Sequence, residues 1–478
     1  MSTVQHEGFL RRSIKSISRY IPQVEKPKKK ITLSEKFVWC GIALFAYLVM
    51  GQIPLYGVTD APEFDFLAFA RVIFAAQQGT ILELGIGPIV TAGLLMQLLK
   101  GSDMLKLNFK NSDDRALFTS ATKIVTIIVI IAEGGLYGAA VYGPLVASPD
   151  IVPVVMLQLI FTSLIVMFLD ELIQKGWGLG SGISLFIMAG VAQTILWSVF
   201  SPLVGPTGDI VGLFPFIADS IASGDLSDIF FRGGGLPSVF IFILTAGVLA
   251  TLVYTQGIHI DVPIVSTKFR GFTAVYPIKL LYVSNIPVIL TTALVANAVF
   301  MGQMLWANYN PENDNPIFNY LAQFDPTQSQ TPTGGLLYYI TTPRGLDIAA
   351  QDPLRAVINI ILITGIVTVF GKLWVELGGL SSKSAAKNLL DADVQIPGFR
   401  RSQNTVQNVL NKYIPSVTII GGVTIGLLAS VSDVLGLFGG GIGLLLMVDI
   451  LVNYYNLLVR EKVDTNMPKL AALIGRKE

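Results

Sequence analysis

The sequence predicts an all-α integral membrane protein with ten transmembrane helices in two pseudo-symmetric five-helix halves. Three observations lead to this fold class. Of the 478 residues, 52% are hydrophobic and only 14% are charged, whereas soluble domains are about 25% charged. Apolar stretches long enough to cross a hydrocarbon core of roughly 30 Å occur ten times. Of the 33 lysine and arginine residues, 29 fall on one side of the resulting topology.

The ten predicted spans are helices, because within lipid a helix pairs its own backbone groups and an open strand edge does not. In chain order they cover residues 36–57, 80–99, 116–141, 152–173, 181–203, 238–257, 281–304, 354–376, 414–432 and 438–459. Five spans, an external loop and five more spans suggest two halves, an arrangement that is common among transport proteins.

The spans also set the predicted domain boundaries. A basic N-terminal segment covers 1–35, the N-terminal half 36–203, an external loop 204–237, the C-terminal half 238–459 and a tail 460–478. Within the C-terminal half, the sequence predicts a long external loop over 305–353 and a basic cytoplasmic loop over 377–413.

Basic residues indicate the orientation, because lysine and arginine are enriched in cytoplasmic loops. With ten spans, both termini lie on the basic side. The opposite side keeps four basic residues, which are Arg71, Arg232, Arg344 and Arg355. We therefore expect a multi-pass protein of the cell membrane whose N- and C-termini are cytoplasmic.

The segment 61–78 is too short and too charged to be a span. Asp60 can cap a helix whose first turn contains Pro62 and Glu63, and Gly79 interrupts it. A short external helix that folds back into a cavity fits, because broken helices at membrane depth face protein or water. A surface amphipathic helix is the alternative.

Composition argues against catalysis and cofactors. The net charge of +1 does not indicate a polyanionic substrate, and the chain has one cysteine, Cys40, and two histidines, His6 and His259. These counts exclude an internal disulfide framework and a cysteine metal cluster. The sequence also lacks a phosphate-binding Walker motif, a His-Glu-x-x-His motif and a nucleophile elbow. We expect a protein that is not an enzyme and has no cofactor or metal.

Several motifs occur in a specific chain order. They are Leu84–Leu99 in the second span, Asp114, Arg115 and Lys123 at the third, Asp170, Glu171 and Gly178–Ile187 between the fourth and fifth, Tyr276–Ile289 at the seventh, and Gln395–Arg401 and Tyr413–Thr418 around the ninth. This set resembles the SecY and Sec translocon α-subunit family of protein-conducting channels, in its archaeal form. The resemblance covers nearly the whole chain.

Membership of that family would imply a gated passive channel with a central pore between the halves and a short re-entrant plug helix. Such a channel passes unfolded polypeptides across the membrane and releases apolar segments sideways into lipid. The implied partners are SecE-like and small β/SecG-like subunits in a heterotrimer, the ribosome with its RNA and proteins, and the signal recognition particle pathway. Signal sequences, nascent polypeptides and membrane lipid complete the set.

The resemblance also implies a pore ring of apolar side chains, which dewets when the channel is idle. The ring residues are Ile86, Val90, Ile183, Ile187, Ile289 and Leu446. The first four form two i,i+4 pairs, and each pair presents two apolar groups on one helix face. Ordinary packing or lipid contact is the alternative reading of any one of them.

Three polar residues inside spans map onto a lateral gate, which is the seam through which apolar segments reach lipid. They are Thr91 in the second span, Glu133 in the third and Asn297 in the seventh. Interhelical hydrogen bonds in membranes contribute about 0.6–2 kcal/mol each, so this seam would close weakly. Three separately satisfied polar residues are the alternative.

The plug and the docking surface also follow from the resemblance. The plug residues are Phe64, Phe66, Leu67, Ala70, Arg71 and Phe74. The ribosome-docking residues are Arg400, Arg401, Lys268 and Arg270. Lysine and arginine contacts to RNA phosphates are sensitive to salt, although cytoplasmic topology alone explains many basic loop residues.

Asp449 in the tenth span supports a rival interpretation. An intramembrane carboxylate can relay protons or couple ions in a secondary transporter of a small solute, with helices broken near Gly85–Pro88. Glu133 is the other carboxylate that such a transporter could use. A position toward the cytoplasmic vestibule, or pairing with a neighbouring helix, is the simpler role for Asp449. An intramembrane enzyme is a weaker rival, since histidine is scarce and no span carries paired carboxylates away from its ends.

Overall fold

The computed structural model describes residues 14–466 apart from 15, 18, 30, 59–74, 102–104, 106–110, 147, 205–208, 225–227, 234–235, 267–272, 283–285, 326–331, 392 and 399–401. The described chain forms two compact units. The first contains the N-terminal part of the chain up to Ala189 together with residues from Ile450 onward, and the second runs from Gly190 to Asp449.

The first unit is built from α-helices. They are α1 (Leu33–Met50), α2 (Gly87–Gly101), α3 (Ser112–Ala140), α4 (Val152–Leu172) and the first part of α5 (Gly182–Phe200), with a π-helical turn (Ile173–Trp177) after α4. Thr32 and Glu35 form a capping box that starts α1, in which the Glu35 carboxylate accepts the Thr32 N–H at 2.8 Å.

Helices α3 and α4 approach closely because glycines line the contact. A Cβ at Gly134 would lie 2.8 Å from Cγ1 of Ile160, and one at Gly138 would lie 2.7 Å from Cγ of Met156. These distances are too short for any side chain, so the spacing of four residues between small residues is used here for helix packing, as in many membrane proteins.

The second unit contains helices, a three-stranded sheet and a two-stranded sheet. Its helices are α6 (Leu213–Ser223), α7 (Val239–Gly257), α8 (Ile286–Tyr309), α9 (Pro316–Leu321), α10 (Leu336–Ile340), α11 (Leu346–Gln351), α12 (Pro353–Leu377), α13 (Ser382–Asp391), α14 (Gln403–Leu410), α15 (Ile414–Val434) and most of α16 before Ile450 (Gly441–Asn466 in full). Gly422 and Gly426 of α15 face Thr368 and Thr364 of α12 at similarly short range.

Nine helices in the described part of the chain are long and apolar enough to cross a membrane. They are α1, α3, α4, α5, α7, α8, α12, α15 extended by α14, and α16. The one predicted span that is not among these nine is the second (80–99), which is shorter than expected because α2 begins at Gly87 and not at residue 80. Residues 80–86 form turns instead, and Gly79 and Gly85 adopt the left-handed φ angles +71° and +52°.

The cytoplasmic loop predicted over 258–280 is a β-hairpin. Strands β1 (His259–Ser266) and β2 (Thr273–Lys279) pair antiparallel, with Val262 opposite Tyr276. Strand β5 (Val394–Gln395) adds to the other edge of β1, with Val265 opposite Gln395. The hairpin packs with α13, α14 and the end of α12 around a core that includes Val262, Ile278 and Leu410.

The external loop predicted over 305–353 is also ordered where it is described. It contains α9, strands β3 (Gln323–Phe324) and β4 (Pro332–Gly334), α10 and α11. Trp306, Ala322, Phe324 and Leu337 form its own small core. We call residues 309–340 the external cap.

Candidate functional site

The four predicted ring residues of the first unit lie at two helix starts. Ile86 is fully buried in the turn that leads into α2, and the N–H of Val90 donates to its carbonyl at 3.1 Å. Ile187 of α5 is buried and Ile183, one turn earlier, is half-buried. Ile183 and Ile187 are therefore one turn apart on α5, whereas Ile86 lies in the turn before α2 and Val90 within that helix.

The other two predicted ring residues belong to the second unit. Ile289 is half-buried near the start of α8, and Leu446 of α16 is buried. The joining of all six side chains into one ring stays a prediction.

The candidate gate has one observed contact. Thr91 of α2 and Glu133 of α3 share a side-chain hydrogen bond. Both side chains are half-buried, and a carboxylate at membrane depth requires such a partner. The side chain of Asn297, on α8, lies outside the described residues. The structure thus brings together two of the three polar residues that the sequence predicted for the gate.

The six predicted plug residues lie outside the described residues, but the chain on both sides of them is described. We call residues 51–58 the N-terminal flank and residues 75–86 the C-terminal flank. The C-terminal flank is held first by Tyr47 of α1, whose hydroxyl donates to the carbonyl of Ala75. The Tyr47 ring also stacks on Phe186 of α5, with ring centres 4.3 Å apart.

A buried carboxylate holds the same flank. Glu83 is fully buried, and its Oε2 accepts the Gly79 N–H at 2.6 Å and the Tyr142 hydroxyl at 2.8 Å. The two flanks are also paired with each other, since Leu55 N donates to Gly79 O at 3.0 Å and Ile81 N to Ile53 O at 2.9 Å. This part of the chain is therefore a series of turns that is hydrogen-bonded to Tyr47 of α1 and to Tyr142, just after the end of α3.

The end of the N-terminal flank makes solvent-exposed contacts with the start of α4. The N–H of Tyr56 donates to Oε1 of Gln158 at 3.0 Å, and the amide of Gln158 donates back to Tyr56 O at 3.3 Å. Val58 forms an isolated antiparallel bridge with Val146. Tyr56 and its bonds to Gln158 are exposed, so water competes for the same groups.

The predicted docking residues Arg400, Arg401, Lys268 and Arg270 lie outside the described residues. Their flanking strands are described, and Val265 of β1 pairs with Gln395 of β5. The strands that precede the two basic segments therefore lie side by side in one sheet and run in opposite directions. Sequence spacing gave no sign of this pairing, because the two segments are far apart in the chain.

Asp449 of α16 has the neighbouring-helix partner that was the simpler expectation. Its Oδ1 accepts the side-chain amide of Gln256, on α7, at 3.1 Å. An amide partner satisfies the carboxylate within the second unit.

The sequence analysis did not single out Glu83, Tyr142 or Tyr47. One signal was available for Glu83, which is a carboxylate inside a stretch read as an apolar span, and such residues are costly unless they are paired. Tyr142 and Tyr47 carried no comparable signal, because a tyrosine near the end of a span is ordinary.

Comparison with known proteins places these features in a family. The SecY family model matches residues 80–455, and the model for the plug domain of Sec61p matches residues 45–79. The protein translocase subunit SecY of Pyrococcus furiosus is 40% identical over 478 residues, which cover 97% of this chain and 98% of that protein. The Pyrococcus horikoshii protein of the same name is also 40% identical, over 96% of this chain and 98% of its own.

Solved structures agree with the sequence relatives. A structure described as that of a protein conducting channel has a TM-score of 0.76 and 36% identity, covering 94% of this chain and 97% of that chain. Sec61 in the canine ribosome-channel complex from the endoplasmic reticulum has a TM-score of 0.74 and 35% identity at the same coverage. With a family model matched over most of its length and relatives at 40% identity, the chain belongs to the SecY family.

Proposed function

We propose that this chain is the central pore-forming subunit of a Sec protein translocase. It is a gated passive channel for the secretion of unfolded polypeptides and for lateral insertion of membrane proteins, and it is not an enzyme. Energy for transport therefore comes from a partner, either the elongating ribosome or a cytosolic motor.

The arrangement around residues 45–79 carries this proposal. The segment that matches the plug domain leaves α1 at Gly51 and returns at Ala75, and both of its flanks are bonded to the first unit. It returns directly before Ile86 and Val90, the first two candidate ring residues. A tethered segment placed before a candidate constriction supports a closable pore.

The pore ring we propose consists of Ile86, Val90, Ile183, Ile187, Ile289 and Leu446. An apolar ring offers no hydrogen bonds to water, so a narrow one dewets and excludes ions. The same side chains can contact any passing polypeptide without binding one residue type tightly. The plug, with residues Phe64, Phe66, Leu67, Ala70, Arg71 and Phe74, adds steric closure when no polypeptide is present.

The lateral gate we propose consists of Thr91, Glu133 and Asn297. The bond between Thr91 and Glu133 supports a seam closed by a few polar contacts. Since each such bond contributes about 0.6–2 kcal/mol, an arriving apolar helix can replace the seam by its own contacts with lipid.

The partners of this channel are SecE-like and small β/SecG-like subunits, and ribosomes bind it. For the ribosome contact we propose Arg400 and Arg401 first, with Lys268 and Arg270 beside them. The pairing of β1 with β5 supports this set, because it brings the strands that precede the two basic segments side by side. Phosphate contacts of this kind would weaken as salt rises.

For location we propose the cell membrane, with both termini in the cytoplasm. The distribution of basic residues supports this orientation, since 29 of 33 lie on the side of the termini.

The direct test is a crosslink between the candidate ring and a passing chain. A single cysteine replaces Ile86 in a Cys40→Ser background, which leaves no other thiol. A secretory nascent chain with one cysteine is stalled in native membranes. We expect a disulfide at residue 86, because the ring is the narrowest part of the path.

The matched control places the cysteine at Ile128 of α3, which is 60% exposed on the surface of the first unit. The control should give no adduct. Equal adducts at both positions, or none at residue 86 from a chain that reaches the membrane, would contradict the channel proposal.

A further inference from the structure

The external cap exposes large apolar and aromatic side chains although its interior is well ordered. Ile317 is 77% exposed, Tyr320 81% and Tyr309 68%. Surface patches of this kind mark contacts with protein or membrane. The candidate ring, gate and plug do not include these three residues.

The cap is rigidly joined to α8. A Cβ at Gly302 would lie 2.2 Å from Cδ1 of Leu337, so the cap touches the helix backbone. Trp306 Nε1 donates to Oδ1 of Asn313 at 3.0 Å, and the Asn313 amide donates to Phe324 O at 3.0 Å.

Two further asparagines complete this network. The Asn310 amide donates to Oδ1 of Asn319 at 2.8 Å, and the Asn319 amide donates to Asn313 O at 2.7 Å. These bonds fix the short helix α9 against the end of α8. The exposed side chains of α9 are therefore held on the outer surface of the cap.

The depth of the patch follows from helix geometry. The apolar window of α8 is Ile286–Gln303, and 18 residues at about 1.5 Å each are close to the thickness of a hydrocarbon core. Tyr309 lies six residues further, or roughly 9 Å beyond that core. The headgroup layer is about 5–8 Å thick on each side, so the end of α8 lies at its outer edge.

Side-chain direction brings the patch back toward the lipid. In a helix the Cα–Cβ bond tilts toward the N-terminus, so Tyr309 leans from the end of α8 toward the bilayer. Phe318 of α9 stacks on the Tyr309 ring, with centres 6.1 Å apart and planes 7° apart. Ile317 and Tyr320 lie on one face of the same short helix, three residues apart.

We propose that the external cap is a membrane-surface anchor, whose Ile317, Tyr320 and Tyr309 lie among the headgroups of the outer leaflet. Tyrosine suits this layer because its ring is apolar and its hydroxyl remains hydrated. Glu312 and Asp314, two acidic residues of the cap, are exposed and remain in water.

One consequence rests on the proposed function. Helix α8 carries Asn297 and Ile289, which we assign to the gate and the ring. A cap held in the outer leaflet would keep the outer end of this helix at constant depth while its middle moves aside.

The anchor is tested by spin labels on the complete complex with its small subunits, in vesicles of phosphatidylcholine and phosphatidylglycerol. Single cysteines are placed at residues 317, 320 and 312 in a Cys40→Ser background. Collisions with oxygen report lipid, and collisions with a soluble nickel complex report water. We expect labels at 317 and 320 to collide often with oxygen and rarely with nickel. The label at 312 should collide often with nickel and rarely with oxygen.

Labels at 317 and 320 that collide with nickel as freely as the label at 312 would overturn the anchor. Labels at 317 and 320 that collide rarely with both nickel and oxygen would also overturn it, because a protein partner would then cover the patch. The spin-label measurement uses the idle complex and involves no transport. It can therefore contradict the anchor without bearing on the channel proposal, which the crosslink at residue 86 tests.

Discussion

The two flanks of the plug segment differ in how they are held, although both belong to the first unit. The C-terminal flank is held by buried groups, namely the Tyr47 hydroxyl at Ala75 and the Glu83 carboxylate at Gly79 and Tyr142. In the N-terminal flank, residues 53–55 pair with the C-terminal flank, whereas residues 56–58 are held by the exposed bonds between Tyr56 and Gln158 and by one bridge at Val58.

This difference has an energetic meaning. Removing one partner of a buried hydrogen bond leaves the other unsolvated and costs about 1–3 kcal/mol, whereas water replaces a lost partner at an exposed bond. The C-terminal flank is therefore the stronger attachment. We infer that the plug leaves its closed position by release of residues 56–58, while the C-terminal flank and the residues 53–55 paired with it stay in place.

The largest effect is expected from Glu83→Leu. Leucine removes the acceptor of the Tyr142 hydroxyl and the Gly79 N–H. A cost of about 1.4 kcal/mol would shift the C-terminal flank roughly tenfold toward detachment, which frees the plug at the end that normally stays in place. The idle complex in planar bilayers should then conduct ions measurably more often. The amount of complex in the membrane reports whether the fold is retained.

The matched control is Glu83→Gln, whose side-chain oxygen still accepts both bonds. We expect a much smaller rise in idle conductance for this variant. Wild-type conductance in the leucine variant, at normal amounts of complex, would show that Glu83 does not hold the flank.

A small effect is expected from Gln158→Ala at the other flank. Both backbone groups of Tyr56 would then bond to water, and exposed substitutions of this kind change stability by about 0.5 kcal/mol or less. Idle conductance should stay within roughly twofold of the wild type. An increase equal to that of Glu83→Leu would remove the distinction between the flanks.

Much of this fold could be predicted from the sequence, because membrane spans are set by local composition. Nine predicted spans have matching helices of sufficient length and apolarity. The predicted start of the second span was wrong for a physical reason. Ile81, Leu82 and Leu84 are as apolar as helix residues, yet the bond from Ile81 N to Ile53 O and the Tyr142–Glu83 contact hold this stretch in turns.

The candidate site was only partly accessible from the sequence. The pair Thr91 and Glu133 was expected from the family resemblance and is hydrogen-bonded. The pairing of β1 with β5, and the packing of the external cap on α8, join segments distant in the chain. Neither leaves a local pattern, because each depends on tertiary contacts and not on periodicity.

The most direct test of this account locks each flank in turn with a disulfide, in a Cys40→Ser background. Two antiparallel bridges provide matched cysteine pairs. Val58 with Val146 ties the end of the N-terminal flank to the chain after α3, and Pro54 with Thr80 joins the two flanks to each other. Partners in such bridges have Cα atoms about 4.5–5.5 Å apart, which suits a disulfide. Translocation of a secretory protein into vesicles is measured before and after reduction.

We predict that the disulfide between residues 58 and 146 blocks translocation until it is reduced, because residues 56–58 can no longer release. The disulfide between residues 54 and 80 should leave translocation unchanged, since we expect the pairing of the two flanks to persist when the channel opens. Full translocation with the first pair locked, or a block by the second pair alone, would contradict the account.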